Sequence, residues 1–303
     1  MGLSLSRRAF LGACAAAAPA LAVSTVRAET KSRKLLMLAG TPSHGPGAHE
    51  FNAGTTLLHH CLERAKIDGL STTLHLNGWP MDESIFDGVD AIFLYCDGGA
   101  GHPFIQGQRR EKIGALMKKG VGLMCAHFAV EVPKDRGGAE FKDWIGGYYE
   151  DHWSCNPMWK PEFTEFPDHP IARGVKPFSV RDEWYFNMRF RDNQADLVPI
   201  LFAKPSDAVR NGPYVYPPGP YKHIQDAKGR SEAMMWAIER TDGGRGVGFT
   251  GGHFHTNWSD PNFRKVVLNA LVWISKLDVP ANGVGSTVSE TEMTQNLDPK
   301  GKK

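Results

Sequence analysis

Three apolar runs fix the kind of sheet this chain can build. Residues 35–38 (Leu-Leu-Met-Leu), 91–95 (Ala-Ile-Phe-Leu-Tyr) and 121–126 (Val-Gly-Leu-Met-Cys-Ala) contain no charged side chain. A strand with one wet face alternates polar and apolar residues; a strand apolar throughout is covered on both faces. Between these runs lie two stretches with helical spacing. Residues 50–66 place Leu57, Leu58, Cys61, Leu62 and Ala65 on one side, and residues 105–119 do the same with Ile113, Leu116 and Met117. The alternation predicts an α/β fold: a doubly wound, mostly parallel sheet with helices on both faces, a three-layer flavodoxin-like sandwich. Further strands are expected at 70–76, 162–166, 178–181, 197–203, 233–239 and 245–250. A closing helix is expected over 261–275, with Asp260 as its N-cap.

The ends of the chain read differently. Ser6-Arg-Arg-Ala-Phe-Leu11 and the alanine-rich stretch after it have the form of a twin-arginine export signal, residues 1–28. The expected location is the periplasm or the exterior, and the apolar stretch is too short for stable membrane insertion. The folded domain is expected over 33–278, and the polar tail, 279–303, is expected to be disordered. The four cysteines beyond the signal (Cys61, Cys96, Cys125, Cys155) have no paired spacing, so no disulfide framework is indicated. A net charge of +2 gives no basic field, which argues against nucleic acid as a partner. No Walker loop, HExxH or GxSxG string occurs, so neither a nucleotide cofactor nor a serine hydrolase is indicated.

Histidines fall where expected strands turn into loops. His44 and His49 lie in Thr41-Pro-Ser-His-Gly-Pro-Gly-Ala-His49, after the first strand. His102 follows the second apolar run across Asp97-Gly-Gly-Ala-Gly101, His127 ends the third, and His253 and His255 follow the last strand through Gly251 and Gly252. In an open parallel sheet, loops at the carboxyl ends of the strands share one crevice. Imidazoles brought there from four strands suit a divalent metal, zinc or manganese, or proton transfer. The expected metal ligands are His44, His49, His127, His253 and His255; an extended segment would put the last two on one face. Asp182 and Glu183 are adjacent carboxylates on the extended segment that follows a short strand, so one of the two faces the site; with His127 they are the expected catalytic groups. Aromatic residues near these loops suit a sugar ring, giving His102, His152, Trp153, Tyr185 and Trp258 as expected substrate contacts. Residues 205–230 hold Pro205, Pro213, Pro217, Pro218 and Pro220, the composition of a functional loop or lid.

At these residues the chain resembles the ThuA-like, or trehalose-utilisation, family. The resemblance is carried by Gly40-Thr41 with His44 and His49, by Gly120-Val-Gly-Leu-Met-Cys-Ala-His127, and by Trp144-Ile-Gly-Gly-Tyr148 with His152. His169-Pro-Ile171, Asp182-Glu-Trp-Tyr185, and Arg245-Gly-Val-Gly-Phe-Thr-Gly-Gly-His253 with Trp258 complete it. It implies the class I glutamine amidotransferase-like fold, but His127 stands near the place of the amidotransferase cysteine, so glutaminase activity is not implied. It also implies a role in disaccharide use, alongside dehydrogenases that oxidise a sugar ring at C3. The pocket residues it implies are His44, His49, His127, His152, Glu183 and His253; His255 lies outside its pattern.

The leading expectation is a periplasmic, metal-assisted lyase, isomerase or hydrolase acting on a 3-keto glycoside. Two rivals are a non-catalytic carbohydrate-binding protein and a metal-independent hydrolase using Glu183 and His127 as an acid–base pair.

Overall fold

A computed structural model describes residues 32–192 and 196–300, besides Met1. The body of the expected export signal lies outside the described residues. Strands β1 (Arg33–Ala39), β2 (Leu70–His75), β3 (Ala91–Tyr95) and β4 (Gly122–Ala126) alternate with helices α1 (Phe51–Ala65) and α2 (Arg109–Lys118). Helix α3 (Ala139–Ile145) leads into four two-residue strands: β5 (Gly147–Tyr148), β6 (Met158–Trp159), β7 (Asp182–Glu183) and β8 (Arg189–Phe190). Strand β9 (Leu197–Ala203), the short helices α4 (Asp207–Arg210) and α5 (Lys222–Gln225), then β10 (Glu232–Glu239) and β11 (Arg245–Phe249) follow. Helices α6 (Pro261–Ile274) and α7 (Glu290–Thr294) close the chain.

The main sheet has the order β2-β1-β3-β4-β11-β10-β9. Its first five strands are parallel, and β10 runs antiparallel to both its neighbours. The pleat divides each central strand between two cores. Leu35, Met37, Phe93 and Met124 face α1 and α6, whereas Leu36, Leu38, Ile92, Leu94 and Leu123 face α2 and α3. Each of these side chains is essentially inaccessible. Burying one large aliphatic side chain contributes about 1.5–3 kcal/mol, so both halves of every apolar run stabilise the sandwich. The result is the doubly wound α/β fold that the strand pattern requires. Asp260 caps α6 as expected, its carboxylate accepting the Asn262 and Phe263 N–H groups.

The register positions the site. Ala39 pairs with Tyr95, Tyr95 with Ala126, and Ala126 with Phe249. Four parallel strands therefore end on one row across the sheet. The loops bearing His49, Asp97, His127 and His253 leave from that row. It spans the crossover between β1 and β3, where the winding direction reverses.

Two expectations are corrected. Residues 162–166 and 178–181 are not sheet strands; they meet only through a single antiparallel bridge, Phe163 to Phe178. Phe163 packs on both Phe178 and Trp184, and that packing determines the local structure. The tail is not disordered over its described part, which groups with the described α/β body as one compact unit. Val284 is fully buried, and α7 carries a reciprocal cap between Ser289 and Glu292. Asp298 accepts a hydrogen bond from Asn52, and the Lys300 ammonium is buried beside Glu50, 3.3 Å away. Composition concealed these few anchors among polar residues.

Candidate functional site

Four histidines hold left-handed backbone conformations, three of them just beyond β1 and β4: φ is 58° at His44, 49° at His49 and 56° at His127, with 60° at His152. Such values are uncommon for residues other than glycine, and they persist where surrounding structure holds them. The turn at His127 swings its ring off the end of β4, and the chain continues in a tight 3-10 turn, His127–Val130. The glycine-rich loop folds His49 back so that its N–H bonds the His253 carbonyl at 2.9 Å.

The rings then converge. His49 Nε2 lies 3.0 Å from His127 Nε2 and 3.0 Å from His253 Nδ1. Glu183 Oε2 stands 2.6 Å from His253 Nδ1 and 3.7 Å from His127 Nε2. The Tyr185 hydroxyl is 3.2 Å from His127 Nε2. All four ligand atoms of His49, His127, Glu183 and His253 lie within 4.8 Å of one another, and all four residues are buried. His253 keeps 10% of its side chain exposed and His44 keeps 41%, so solvent meets the cluster on their side.

Hydrogen bonds outside the cluster decide where the protons sit. His127 Nδ1 is 2.9 Å from the Thr250 carbonyl oxygen, which can only accept, so Nδ1 carries the proton. His49 Nδ1 is 3.0 Å from Asp97 Oδ1, which assigns it the same tautomer. Burial pushes both imidazoles well below the usual histidine range, reinforced by the neighbouring histidines. Two neutral rings so arranged aim unprotonated Nε2 lone pairs at each other across 3.0 Å. That contact is repulsive until a cation sits against both.

The donor set fits a metal ion. Ligands about 2.1 Å from one ion and at right angles stand about 3.0 Å apart, the spacing found between these nitrogens. Imidazole and carboxylate together suit zinc or another divalent transition metal. Supporting contacts hold three of the four donors from behind. Asp97 and the Thr250 carbonyl orient His49 and His127, and Asn156 Nδ2 donates to Glu183 Oε1 at 2.7 Å. Burial raises the Tyr185 phenol well above its ordinary range, with Glu183 and Glu131 adding to the effect. That phenol therefore stays protonated beside His127.

The expected site residues divide. His49, His127, His253, Glu183 and Tyr185 are brought together. His44 stacks on His49 at 3.6 Å between ring centroids and lies 3.6 Å from Asp97, at the edge of the cluster. Asp182 is corrected from catalytic to positioning. Its buried carboxylate accepts the N–H groups of Gly252 at 2.7 Å and His253 at 3.0 Å and so fixes the loop that carries His253. His255 does not join the metal set, because a 3-10 turn, His255–Ser259, ends the extended segment and its Nε2 faces the Met293 carbonyl at 3.0 Å.

His102 is also corrected. It is fully buried, with Nε2 3.1 Å from the Ala129 carbonyl and Nδ1 accepting the Phe104 N–H, which leaves no ring nitrogen for a substrate. Trp258 belongs to the core, packed on Tyr95, Phe249 and Phe263. His152 is exposed and lies 3.6 Å from Asp151, away from the ring cluster. Trp153 stacks on His223 at 4.6 Å and lies beneath the Arg189 guanidinium, packed against the proline-rich segment. His127 Nε2 and Glu183 Oε2 stand 3.7 Å apart, with no direct hydrogen bond between them.

Asp97, Asn156, Thr250 and Glu131 had no distinguishing sequence signal. Only Asp97 could have been found, as the acid that ends β3 on the row where the histidines end β1 and β4. Gly246-Val-Gly-Phe-Thr-Gly251 has the spacing of a dinucleotide-binding fingerprint, but its first four residues lie inside β11. A Cβ on Gly248 would come within 2.0 Å of the Trp236 ring, so this glycine serves packing.

The profile of the trehalose-utilisation family, ThuA, matches residues 34–274. The chain belongs to that family. Among solved structures, it is similar to a ThuA-like protein of Bacteroides uniformis ATCC 8492, with a TM-score of 0.56 and 17% identity over 83% of this chain and 94% of that one. A ThuA-like protein of Parabacteroides merdae ATCC 43184 aligns with a TM-score of 0.52 and 15% identity, covering 86% of this chain and 94% of its own. At these identities the likeness establishes the shared fold. No curated protein matches the sequence. Membership ties the chain to carbohydrate metabolism related to trehalose use.

Proposed function

We propose that this family member is an exported, metal-assisted lyase that cleaves a glycoside whose ring carries a ketone at C3. The observation that carries the reading is the pair of unprotonated Nε2 atoms of His49 and His127, 3.0 Å apart beside His253 and Glu183. Buried polar groups facing each other without a shared proton are costly, and a divalent cation removes that cost. His49, His127, His253 and Glu183 would hold the ion. When bound, it supplies positive charge toward a sugar carbonyl, stabilising negative charge that develops on the ketone oxygen.

The protein's own groups do the rest. Asp97, Thr250 and Asp182 hold the three imidazoles, so little reorganisation is needed when charge develops. Tyr185 presents a neutral hydroxyl to the cluster. His44, half-exposed at the edge, is placed to take the proton at C2, which the neighbouring ketone acidifies. The electron pair released forms the C1–C2 double bond as the bond from C1 to the glycosidic oxygen breaks. The departing oxygen then needs a proton, and the products are an unsaturated keto sugar and an alcohol. The twin-arginine form of Ser6-Arg-Arg-Ala-Phe-Leu11 supports a location for this chemistry outside the cytoplasm.

The test uses untagged full-length protein. Elemental analysis is expected to find one divalent ion per chain, lost in His127→Ala. Incubation with a 3-keto disaccharide and with the unoxidised sugar, followed by mass spectrometry, is expected to cleave only the former. A metal-free protein that returns both sugars unchanged would overturn the reading in favour of a binding protein.

A further inference from the structure

We propose that Glu131 is the general acid that protonates the departing glycosidic oxygen. This assignment rests on the lyase reading above and supplies the proton source that reading requires. Glu131 closes the 3-10 turn that begins at His127, its N–H bonding the Phe128 carbonyl at 3.0 Å. Four residues at about 2 Å of rise each separate it from His127 by about 8 Å. Paired groups that act on opposite sides of a glycosidic bond stand about 5–9 Å apart.

The backbone around Glu131 is fixed on two sides. Its carbonyl accepts the Gly99 N–H at 3.0 Å, and it bridges in parallel to Tyr149. A Cβ on Gly98 would fall 2.1 Å from the Phe128 carbonyl, so only glycine lets the loop after β3 close against this turn. The side chain, by contrast, is left without partners: its carboxyl makes no hydrogen bond or ion pair among the described residues. Every other carboxylate of the site is engaged, Asp97 by His49, Asp182 by backbone N–H groups and Glu183 by Asn156 and His253. The groups that bear electrostatically on Glu131 are Asp151 and Glu183, and it bears in turn on the phenols of Tyr149 and Tyr185. No cation faces it from these elements.

A half-buried carboxyl in acidic company retains its proton. Burial first, then Asp151 and Glu183, push Glu131 up to about 8. It therefore holds a proton at neutral pH in the metal-free protein, as a general acid must, and a cation on Glu183 offsets only the smallest of the three causes. The atoms balance. The proton removed from C2 goes to the base, the C1–O pair leaves with the oxygen, and the Glu131 proton completes the alcohol. Glu131 is left as a carboxylate that water reprotonates.

The experiment compares metal-loaded wild type, Glu131→Gln and Glu131→Ala on two 3-keto glycosides, one an ordinary disaccharide and one with a nitrophenyl leaving group. Metal content is expected to be unchanged in all three, and the urea midpoint of Glu131→Gln equal to or above wild type. Turnover of the disaccharide is expected to fall at least 100-fold in Glu131→Gln with KM little changed. The nitrophenyl glycoside, whose leaving group needs no proton, is expected to lose less than 10-fold. Added formate is expected to restore part of the Glu131→Ala activity. Equal losses on both substrates, or wild-type turnover in Glu131→Gln, would overturn the assignment. If the wild type holds its metal yet cleaves neither glycoside, the lyase reading itself fails and Glu131 loses its role with it.

Discussion

Adding a divalent ion to chelator-treated protein should raise its thermal midpoint by an amount that the cluster's geometry sets. Nothing in the unfolded chain holds His49, His127, His253 and Glu183 together, so the ion stabilises the native state. At a free concentration 1,000 times Kd the gain is about 4 kcal/mol. For a domain of this size about 2 °C of Tm accompanies each kcal/mol, so a rise of about 8 °C is expected. His127→Ala removes a buried ligand whose Nε2 lies 3.0 Å from His49 Nε2. If Kd weakens about 100-fold, the same free ion is only tenfold above Kd; the gain falls to about 1.4 kcal/mol and the rise to about 3 °C. Differential scanning fluorimetry with zinc and with manganese reads both numbers, and elemental analysis fixes the stoichiometry. The reasoning fails if neither ion moves the wild-type midpoint, or if His127→Ala responds as fully as the wild type.

Three further outcomes are expected. Asp182→Ala removes the buried acceptor that holds the Gly252 and His253 N–H groups. It should cost about 3 kcal/mol in urea unfolding and weaken metal binding about 10–100-fold by titration. His102 is fully buried in a neutral tautomer, and burial lowers it from 6.5 to about 4. The unfolded chain binds that proton first, so metal-free protein should lose stability as pH falls from 6.5 toward 4, by about 3 kcal/mol from this residue. His102→Gln keeps a donor and an acceptor but cannot titrate, and should flatten that part of the urea-midpoint profile. Lys300→Met leaves the buried Glu50 without its ammonium partner and releases the Ala48 and His49 carbonyls. About 3 kcal/mol should be lost, together with metal affinity, because His49 lies on that backbone.

The sheet was legible because burial on both faces leaves a strong imprint. Residues 91–95 cannot be wetted on either side without exposing Ile92 and Leu94 or Phe93 and Tyr95. The glycine-bounded ends of these runs located the sheet rim, and the register row Ala39–Tyr95–Ala126–Phe249 places the histidine loops together there. Residues 155–190 were poorly legible for the opposite reason. Their two-residue strands and single bridges are held by packing among Trp159, Phe163, Phe178, Trp184 and Phe186, which has no period along the chain. The tail misled through composition: a few anchors, Val284, Asp298 and Lys300, hold a segment that is polar on average.

Residue type and position along a strand end identified His49, His127 and His253, but they could not separate a ligand from a support. Asp182 and Glu183 share a two-residue strand, so their side chains diverge; one reaches His253 Nδ1 and the other the backbone beneath it. Which one faces the histidine cluster depends on β7 pairing with β6 in the register Met158 to Glu183. A pairing shifted by one residue would exchange the two roles. His253 and His255 present the same problem in reverse. Extended spacing would give them a common face, but a turn begins at His255 and the second ring bonds the Met293 carbonyl of the tail. Where a ring points is thus decided by contacts more than thirty positions away in the chain. The tautomers that make His49 and His127 candidate ligands depend likewise on Asp97 and Thr250, each contributed by a different strand end. The metal affinity proposed for this site would therefore be a property of the sheet register as much as of the histidines. It follows that a substitution disturbing the β6–β7 pairing, far from any imidazole, should weaken metal binding by misdirecting Glu183.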